Sequence, residues 1–429
     1  MSGPTSTGKT TAAITRPNWT VLTLAFIAVV LDGYDTIALG LSVPAMSRDW
    51  GEAPSHFTPA LALTSLGVAL GYIAVGRLTA RHGCRNVILV AVGVFTVGSL
   101  LTAWSGSIIE LSALRFMTGL GLGAVMPAAV AQATALNPAR LRQSIAVFVT
   151  MGISLGALIA GLAGSQLVSH FGWPSVFIAG AIASASLFPF LWFGLPDERG
   201  AIGQVTPADA KHSASVARLF DPEVRARTLV LWGFAFLVFS VFYIFSSWLP
   251  TLLTSYGFST GLAPLGSAAL GVGSIIGAGI LIVGVLKFRL TSVLVCTTTA
   301  AIVFLVISAF LGPDKALLLI VFGGVGLGLQ AGMIGQAAVA VSIYPHRTVA
   351  TGVGWASSMG RLGSVIGPIV GGALIGLGTS TSTIVLLSCV PVSAALVLMV
   401  ILGRMRTAAD DSGDVPTTTS APRDHALRS

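Results

Sequence analysis

Long apolar stretches separated by short polar segments repeat along this chain of 429 residues. A helix that crosses the hydrocarbon core of a membrane needs about 20 apolar residues. The pattern therefore predicts twelve spanning helices, at residues 19–43, 58–79, 86–104, 109–134, 143–167, 173–195, 228–254, 262–286, 290–311, 315–343, 347–375 and 380–403. Glycine and proline interrupt many of these stretches, which favours a packed bundle over simple membrane anchors.

Positive charges are divided very unevenly between the two sides of this pattern. Only Arg48 and Lys315 lie on one side, and nearly all other lysines and arginines lie on the other. Basic loops face the cytoplasm in most membrane proteins. The bias predicts that both termini are cytoplasmic, in a multi-pass protein of the inner (plasma) membrane.

The longest internal polar segment, residues 196–227, divides the predicted helices into two groups of six. We interpret it as a cytoplasmic linker between two bundles, at residues 19–195 and 228–403. The polar ends, residues 1–18 and 404–429, are expected to be disordered in the cytoplasm.

Composition supports a membrane protein and argues against several other classes. The chain is 54% hydrophobic and 9% charged, whereas soluble domains carry roughly 25% charged residues. The net charge of +8 does not indicate nucleic-acid binding, because the charges lie at helix ends and in tails. Cys84, Cys296 and Cys389 form no close pair, so neither disulfides nor a metal site is expected. The stretch GPTSTGKT at residues 3–10 matches a P-loop but has no preceding strand, so no nucleotide or other cofactor is predicted.

Two carboxylates, Asp32 and Asp35, lie inside the first apolar stretch. A spacing of three residues places both on one helix face. Charge within a membrane is costly and usually functional, and a carboxyl group at low dielectric holds its proton more firmly. We interpret the pair as the proton-coupling site and leave open which acid carries the proton. Alternatively, the acids are structural and pair with a helix arginine.

Arg115 and Arg361 also lie within apolar stretches. A guanidinium can hold a carboxylate through two hydrogen bonds. We predict that these arginines bind an anionic substrate or pair switchably with Asp32 or Asp35. The alternative is an architectural arginine bonded to helix carbonyls.

Several aromatic residues in the predicted helices are candidates to hold a planar ring. The candidates for the wall of such a cavity are Tyr34, Trp232, Phe242, Tyr243, Trp248 and Trp355. Of these, we predict that Tyr34, Tyr243, Trp248 and Trp355 bind the substrate. Tyr34 and Trp355 rank higher because their helices also carry charged candidates. Core packing or lipid contact is the alternative for each.

The two halves of the chain resemble each other. GLGLG at residues 119–123 recurs as GVGLG at 324–328, and NPAR at 137–140 recurs as YPHR at 344–347. A shared offset over several helices indicates two parallel repeats.

Several motifs resemble those of a known family. GRLTARHGCRN at residues 76–86 and LSALRFMTGLGLG at 111–123 resemble the loop and fourth-helix motifs of the major facilitator superfamily. Together with DGYD at 32–35, SSWLPTLL at 246–253 and ATGVGWASSMGRLGSVIGPIVGG at 350–372, they resemble its aromatic acid:H+ symporter family. The resemblance covers residues 19–403. Ala80 and Val349 depart from the family pattern, which usually has an acid at the first position and an arginine at the second.

This resemblance implies an all-α major facilitator fold of twelve helices in two six-helix bundles. It also implies a gating loop that contains Gly76, Arg81, Gly83 and Arg85. The implied function is import of an aromatic carboxylate with protons, through alternating access. We expect a monomer that contacts membrane lipids.

Two alternative functions remain at this point. A proton-driven exporter of apolar compounds would share the fold. A membrane enzyme would need a cluster of histidines, cysteines or acids, whereas the histidines lie in predicted loops and tails. Benzoate, hydroxybenzoates, gentisate, protocatechuate and phenylpropanoids all remain possible substrates.

Overall fold

A computed structural model describes residues 17–138, 141–196, 216–222, 224–312, 314–344 and 349–411. These parts contain twelve helices long and apolar enough to cross a membrane, and no strand. The helices are α1 Trp19–Trp50, α2 Thr58–His82, α3 Cys84–Thr102, α4 Ile108–Ala135, α5 Arg142–Phe171, α6 Pro174–Gly194, α7 Arg225–Ser255, α8 Leu265–Lys287, α9 Leu290–Phe310, α10 Lys315–Ile343, α11 Val349–Gly376 and α12 Thr381–Asp411. The prediction of twelve spans is confirmed.

Short 3₁₀ helices cover Pro54–Phe57 and Val216–Phe220. The second lies within the predicted linker, most of which falls outside the described residues. The same is true of the predicted disordered N-terminus through residue 16 and of the predicted tail beyond Asp411. The disordered tail was predicted to begin at residue 404, but α12 continues past the predicted end of the twelfth span, and residues 404–411 are helical.

Side-chain caps define several helix starts. The Asn18 side chain accepts a hydrogen bond from the Val21 backbone at the start of α1, and Ser107 accepts one from Glu110 at the start of α4. Asp314 accepts from two backbone N–H groups at the start of α10. These caps satisfy N–H groups that have no partner within the helix.

Helix α1 is longer than the apolar pattern indicates. The predicted span ends at residue 43, just before Pro44, but the helix continues to Trp50 with Pro44 inside it. It ends at Gly51, whose φ of 67° is the left-handed conformation that glycine adopts readily. The extra turns carry Arg48 and Asp49, so the helix extends past its apolar part.

The helices form two bundles of six, α1–α6 and α7–α12. In the first bundle α2 packs on α4 and α1 on α5, and in the second α11 packs on α7 and α10 on α8. Glycines allow these close approaches. Gly119 and Gly123 of α4, for example, lie directly against the α2 backbone at Thr64 and Val68.

The bundles meet through α1–α7, α2–α11 and α5–α8. We call the end that carries the α1–α2, α5–α6, α7–α8 and α11–α12 connections the distal end, and the opposite end proximal. At the distal end, Ser165 Oγ of α5 donates a hydrogen bond to the Gly261 carbonyl (2.7 Å). Gly376 of α11 lies against Ser55 nearby. The two bundles are therefore in contact at the distal end.

Candidate functional site

A cavity of about 300 Å³ lies between the two bundles. Helices α1, α2, α4 and α5 line one side, and α7, α8, α10 and α11 line the other. It reaches Ala146, close to the proximal start of α5. Apolar side chains form most of the wall, with a few polar groups between them. This size and composition are typical of a site for a small molecule.

Arg361 of α11 brings a positive charge to this cavity. Its Nη1 donates a hydrogen bond to the Tyr243 hydroxyl of α7 (3.3 Å). Its guanidinium lies 4.7 Å from the centre of the Tyr72 ring of α2. Within the described residues it forms no ion pair within 4.0 Å. The guanidinium is therefore oriented by two aromatic side chains from different bundles, while its charge is not neutralised by direct contact with an acid.

Asp32 lies next to the same cavity. Its neighbour Gly33 and Thr36, one turn further on, line the wall. Asp32 as a whole residue is 6% exposed. Its Oδ1 accepts a long hydrogen bond from Thr36 Oγ1 (3.4 Å). Arg361 attracts this carboxylate without contacting it.

Asp35 has a different environment. Its Oδ2 is 3.0 Å from Arg115 Nη1 of α4, and its backbone carbonyl accepts a second hydrogen bond from Nη2 (3.1 Å). Ser99 of α3 donates to Oδ1. The Arg115 guanidinium also lies 5.7 Å from the Phe177 ring centre. Both charged side chains are almost completely buried, so this is a compensated ion pair inside the first bundle.

Arg115 and Asp35 do not line the cavity between the bundles. The sequence predicted both arginines as substrate-binding candidates and both aspartates as proton-coupling candidates. The structure brings Asp32 and Arg361 together beside the cavity and places Asp35 with Arg115 elsewhere.

The sequence of this chain matches known proteins over most of its length. Residues 25–329 match the model of the Major Facilitator Superfamily. The chain belongs to this superfamily. A gallate transporter of Pseudomonas putida is 29% identical to it, over 93% of this chain and 94% of the relative. A 4-hydroxybenzoate transporter of Pseudomonas aeruginosa is 30% identical, over 90% and 92%.

The fold of the superfamily is equally clear in three dimensions. The crystal structure of a D-xylose-proton symporter superposes with a TM-score of 0.72, at 14% identity, over 90% of this chain and 97% of that one. These matches confirm the predicted fold and the resemblance to the aromatic acid:H+ symporter family. They also confirm the prediction of a transporter rather than an enzyme.

The four aromatic residues predicted to bind the substrate ring do not share one environment in the structure. Tyr243 lines the cavity. Tyr34 is buried and donates its hydroxyl hydrogen bond to the Val176 carbonyl of α6 (2.9 Å). Trp248 is buried and donates from Nε1 to the Pro368 carbonyl (2.9 Å). Trp355 stacks on Trp232 at 5.5 Å. Of these four predicted residues, only Tyr243 belongs to the cavity wall.

The predicted gating loop lies at the proximal end, between α2 and α3. Gly83 joins the two helices with a φ of 80°, a conformation that favours glycine. Arg85 donates to the Trp192 carbonyl of α6 (2.5 Å), and Arg81 is exposed. Gly76 faces open space. The loop therefore contacts α6 of its own bundle through Arg85.

Several polar and aromatic cavity residues were missed from the sequence. Tyr72 and Phe239 line the wall, as do the glutamines Gln330 and Gln336 of α10. An uncharged glutamine inside an apolar span is itself a signal, because an amide in a membrane needs a partner. The aromatic residues carry no such signal, since phenylalanine and tyrosine are common throughout apolar helices.

Proposed function

We propose that this protein imports an aromatic carboxylate together with protons, by alternating access of a central cavity to the two sides of the membrane. The observation that carries the proposal is Arg361, a cation in an otherwise largely apolar cavity, next to the buried carboxylate of Asp32. The names of the relatives, transporters of gallate and 4-hydroxybenzoate, support the same substrate class.

In this proposal the substrate carboxylate binds Arg361. A planar guanidinium offers two parallel N–H groups to a carboxylate, and the low dielectric of the cavity strengthens that interaction. Phe239, Phe242 and Tyr243 of α7 provide aromatic surface beside the arginine. Ring contacts of this kind add about 0.5–1.5 kcal/mol each beyond simple burial. The cavity thus matches both halves of an aromatic anion.

Asp32 is the proton carrier in this mechanism. Among the described residues no arginine forms an ion pair with it within 4.0 Å, so it can gain and lose a proton without breaking such a pair. Asp35 is a poor carrier because its charge is compensated by Arg115 and Ser99. In this mechanism Asp35 stays ionised throughout the transport cycle and has a structural role. Asp32 gains and loses the proton and has the coupling role.

Electrostatics couples the two ligands. Ionised Asp32 attracts Arg361 and repels an incoming carboxylate, so it opposes substrate binding. Protonation of Asp32 removes that repulsion and leaves Arg361 available to the substrate. Each ligand therefore favours binding of the other, as a symporter requires.

We propose that the proximal end faces the cytoplasm, with both termini on that side of the plasma membrane, and the charge bias of the loops supports this orientation. With the distal end closed and the cavity reaching toward the proximal end, the described conformation is inward-facing. We further propose that the protein works as a monomer, that residues 196–227 are a cytoplasmic linker, and that Arg81 and Arg85 form part of a gating loop in contact with lipid.

Uptake into proteoliposomes tests the proposal. Labelled 4-hydroxybenzoate is expected to accumulate when an inward proton gradient is applied and to equilibrate without one. Arg361→Ala is expected to abolish uptake. Asp32→Asn is expected to lose gradient-driven accumulation but keep exchange of internal for external substrate. Arg48→Gln, at the exposed distal end, is the matched control and should behave as the unmodified protein.

A second outcome of the same experiment would contradict the proposal. Gradient-driven removal of apolar compounds, without accumulation of 4-hydroxybenzoate, benzoate or gentisate, would replace the importer by an exporter of the same fold.

A further inference from the structure

Three buried polar side chains on the α8 and α10 side of the cavity have unused hydrogen-bonding groups. Ser267, Ser274 and Gln336 line the cavity and are 3%, 2% and 3% exposed. The two serine Oγ atoms and Gln336 Oε1 have no hydrogen-bond partner in the part of the chain that the structure describes. Leaving such an atom unpaired is costly, so three around one cavity indicate a ligand that pairs with them.

Many other hydroxyl groups in the described helices bond to the preceding helical turn, although Thr96 and Thr251 do not. Thr150, also in the cavity wall, donates to the Ala146 carbonyl one turn earlier (2.7 Å), and Ser240 does the same to Phe236 (2.7 Å). This bond to the preceding turn is the usual solution for serine and threonine in a helix. Ser267 and Ser274 do not use it. They are seven residues apart, so they lie on one face of α8.

Only one end of the Gln336 side-chain amide has a hydrogen-bond partner among the described residues. Its Nε2 donates to Ser357 Oγ of α11 (3.4 Å), whereas the other end has no partner among the described residues. If the amide is turned over, the free group becomes a donor instead of an acceptor. A hydroxyl group both donates and accepts, so it matches Gln336 in either orientation and also matches the two serines.

The register of α11 relates this group to Arg361. Ser357 and Arg361 are four residues apart, so they lie on one face of α11, roughly 6 Å apart along the helix axis. Gln336, which is bonded to Ser357, therefore lies beside the face of α11 that carries Arg361. Gln336 and Arg361 line the same cavity, so one ligand can contact both.

We infer that Gln336, together with Ser267 and Ser274, determines specificity by hydrogen-bonding a ring hydroxyl of a substrate whose carboxylate binds Arg361. The transporter then selects hydroxylated aromatic acids over the unsubstituted ring. This inference rests on the proposed function.

Binding measurements with closely related ligands test it. Calorimetry on the purified protein in lipid nanodiscs would use benzoate, 3-hydroxybenzoate and 4-hydroxybenzoate. At least one hydroxybenzoate is expected to bind roughly tenfold or more tightly than benzoate, because benzoate leaves the polar groups unpaired. Gln336→Met, similar in length and apolar, is expected to bring that ratio close to one while benzoate binding is retained.

Ser274→Ala provides an independent variant, expected to reduce the same ratio. Ser388→Ala is the matched control, because Ser388 is a buried serine of α12 that bonds to the Ile384 carbonyl (2.9 Å). Its ratio should equal that of the unmodified protein. Retained benzoate binding shows that a variant is folded. If Gln336→Met does not fold, the ratio measured for Ser274→Ala tests the inference.

The outcomes separate the two proposals. Equal binding of benzoate and both hydroxybenzoates by the unmodified protein, or a ratio unchanged in both variants, overturns the assignment of these side chains and leaves the proposed function in place. Failure of the unmodified protein to bind any of the three acids overturns the proposed function and this inference with it.

Discussion

At the scale of single residues, the two acids of α1 illustrate how a shared helix face can lead to different roles. Asp32 and Asp35 are three positions apart, yet Asp35 contacts Arg115 and Ser99, whereas Asp32 lies beside the cavity near Arg361. A buried ion pair contributes little net stability, but the loss of one partner leaves an uncompensated charge. The roles of the two acids can therefore be separated by stability measurements.

Asp35→Asn is expected to lower the free energy of unfolding by about 3–5 kcal/mol, because Arg115 then stays buried without its carboxylate partner. The double variant Asp35→Leu/Arg115→Met should recover most of that loss. Asp32→Asn should leave stability nearly unchanged. Thermal unfolding of the detergent-purified variants measures all three. A fully stable Asp35→Asn variant that has lost proton coupling would instead make Asp35 the proton carrier.

The ring of Tyr72 is expected to hold the Arg361 guanidinium in place through the cation–π contact. Such contacts are worth about 0.5–2 kcal/mol. Tyr72→Leu should therefore raise the KM for uptake roughly 2- to 30-fold. Tyr72→Phe keeps the ring and serves as the matched control, with an unchanged KM. Equal kinetics in both variants would show that the phenyl face does not position the arginine.

The sequence alone allowed prediction of the charged parts of the site, because charge in a membrane span is rare and stands out. It did not reveal which acid meets which arginine. Asp35 is separated from Arg115 by 80 positions, and Asp32 and Arg361 belong to different bundles, so these pairs depend on packing. Tyr34 and Trp248 show the same limit for aromatics: each satisfies its polar atom through a backbone carbonyl of another helix, and this partner has no sequence signature.

At the scale of helices, glycine determines how closely α7 and α11 approach. A Cβ at Gly367 of α11 would collide with the Ser240 backbone carbonyl of α7. The twelve helices themselves follow directly from apolar length. Their ends were less predictable, since α1 continues through Pro44 to Trp50 and α12 continues to Asp411. Those extensions carry charged residues, such as Arg48 in α1 and Arg404 in α12, and lie past the hydrophobic pattern on which the prediction depends.

Gly367→Ala is expected to destabilise the protein by about 1–3 kcal/mol, because α7 and α11 must move apart to fit the methyl group. Gly279→Ala in α8 is the matched control, since a Cβ there meets no atom within 4 Å. It should be neutral or stabilising by up to about 1 kcal/mol, from the better helix propensity of alanine. Thermal unfolding compares the two. Equal stability of the two variants would mean that α7 and α11 can move apart at little energetic cost.

At the scale of the whole molecule, transport by alternating access requires the two bundles to separate at the distal end. In the described conformation that end is closed by contacts such as Ser165 with Gly261 and Ser55 with Gly376. The cavity reaches toward the proximal end. A covalent link across the distal contact should therefore stop the transport cycle without destroying the binding site.

The pair Ser55→Cys/Gly376→Cys is suited to such a link. A Cβ built at Gly376 lies 3.3 Å from the Ser55 Cβ, close to the roughly 3.5–4.5 Å typical of a disulfide. The pair would be made in a variant whose native cysteines Cys84, Cys296 and Cys389 are replaced by alanine. Oxidation is expected to abolish uptake, and a reducing agent should restore it. Each single-cysteine variant is a control and should transport under both conditions.

Binding distinguishes a locked transporter from a damaged one. The oxidised double variant should still bind 4-hydroxybenzoate in nanodiscs, because the cavity remains accessible from the proximal end. Loss of both binding and uptake would mean that the link distorts the cavity. Undiminished uptake by fully cross-linked protein would contradict the mechanism, since substrate would then enter without separation of the bundles at the distal end.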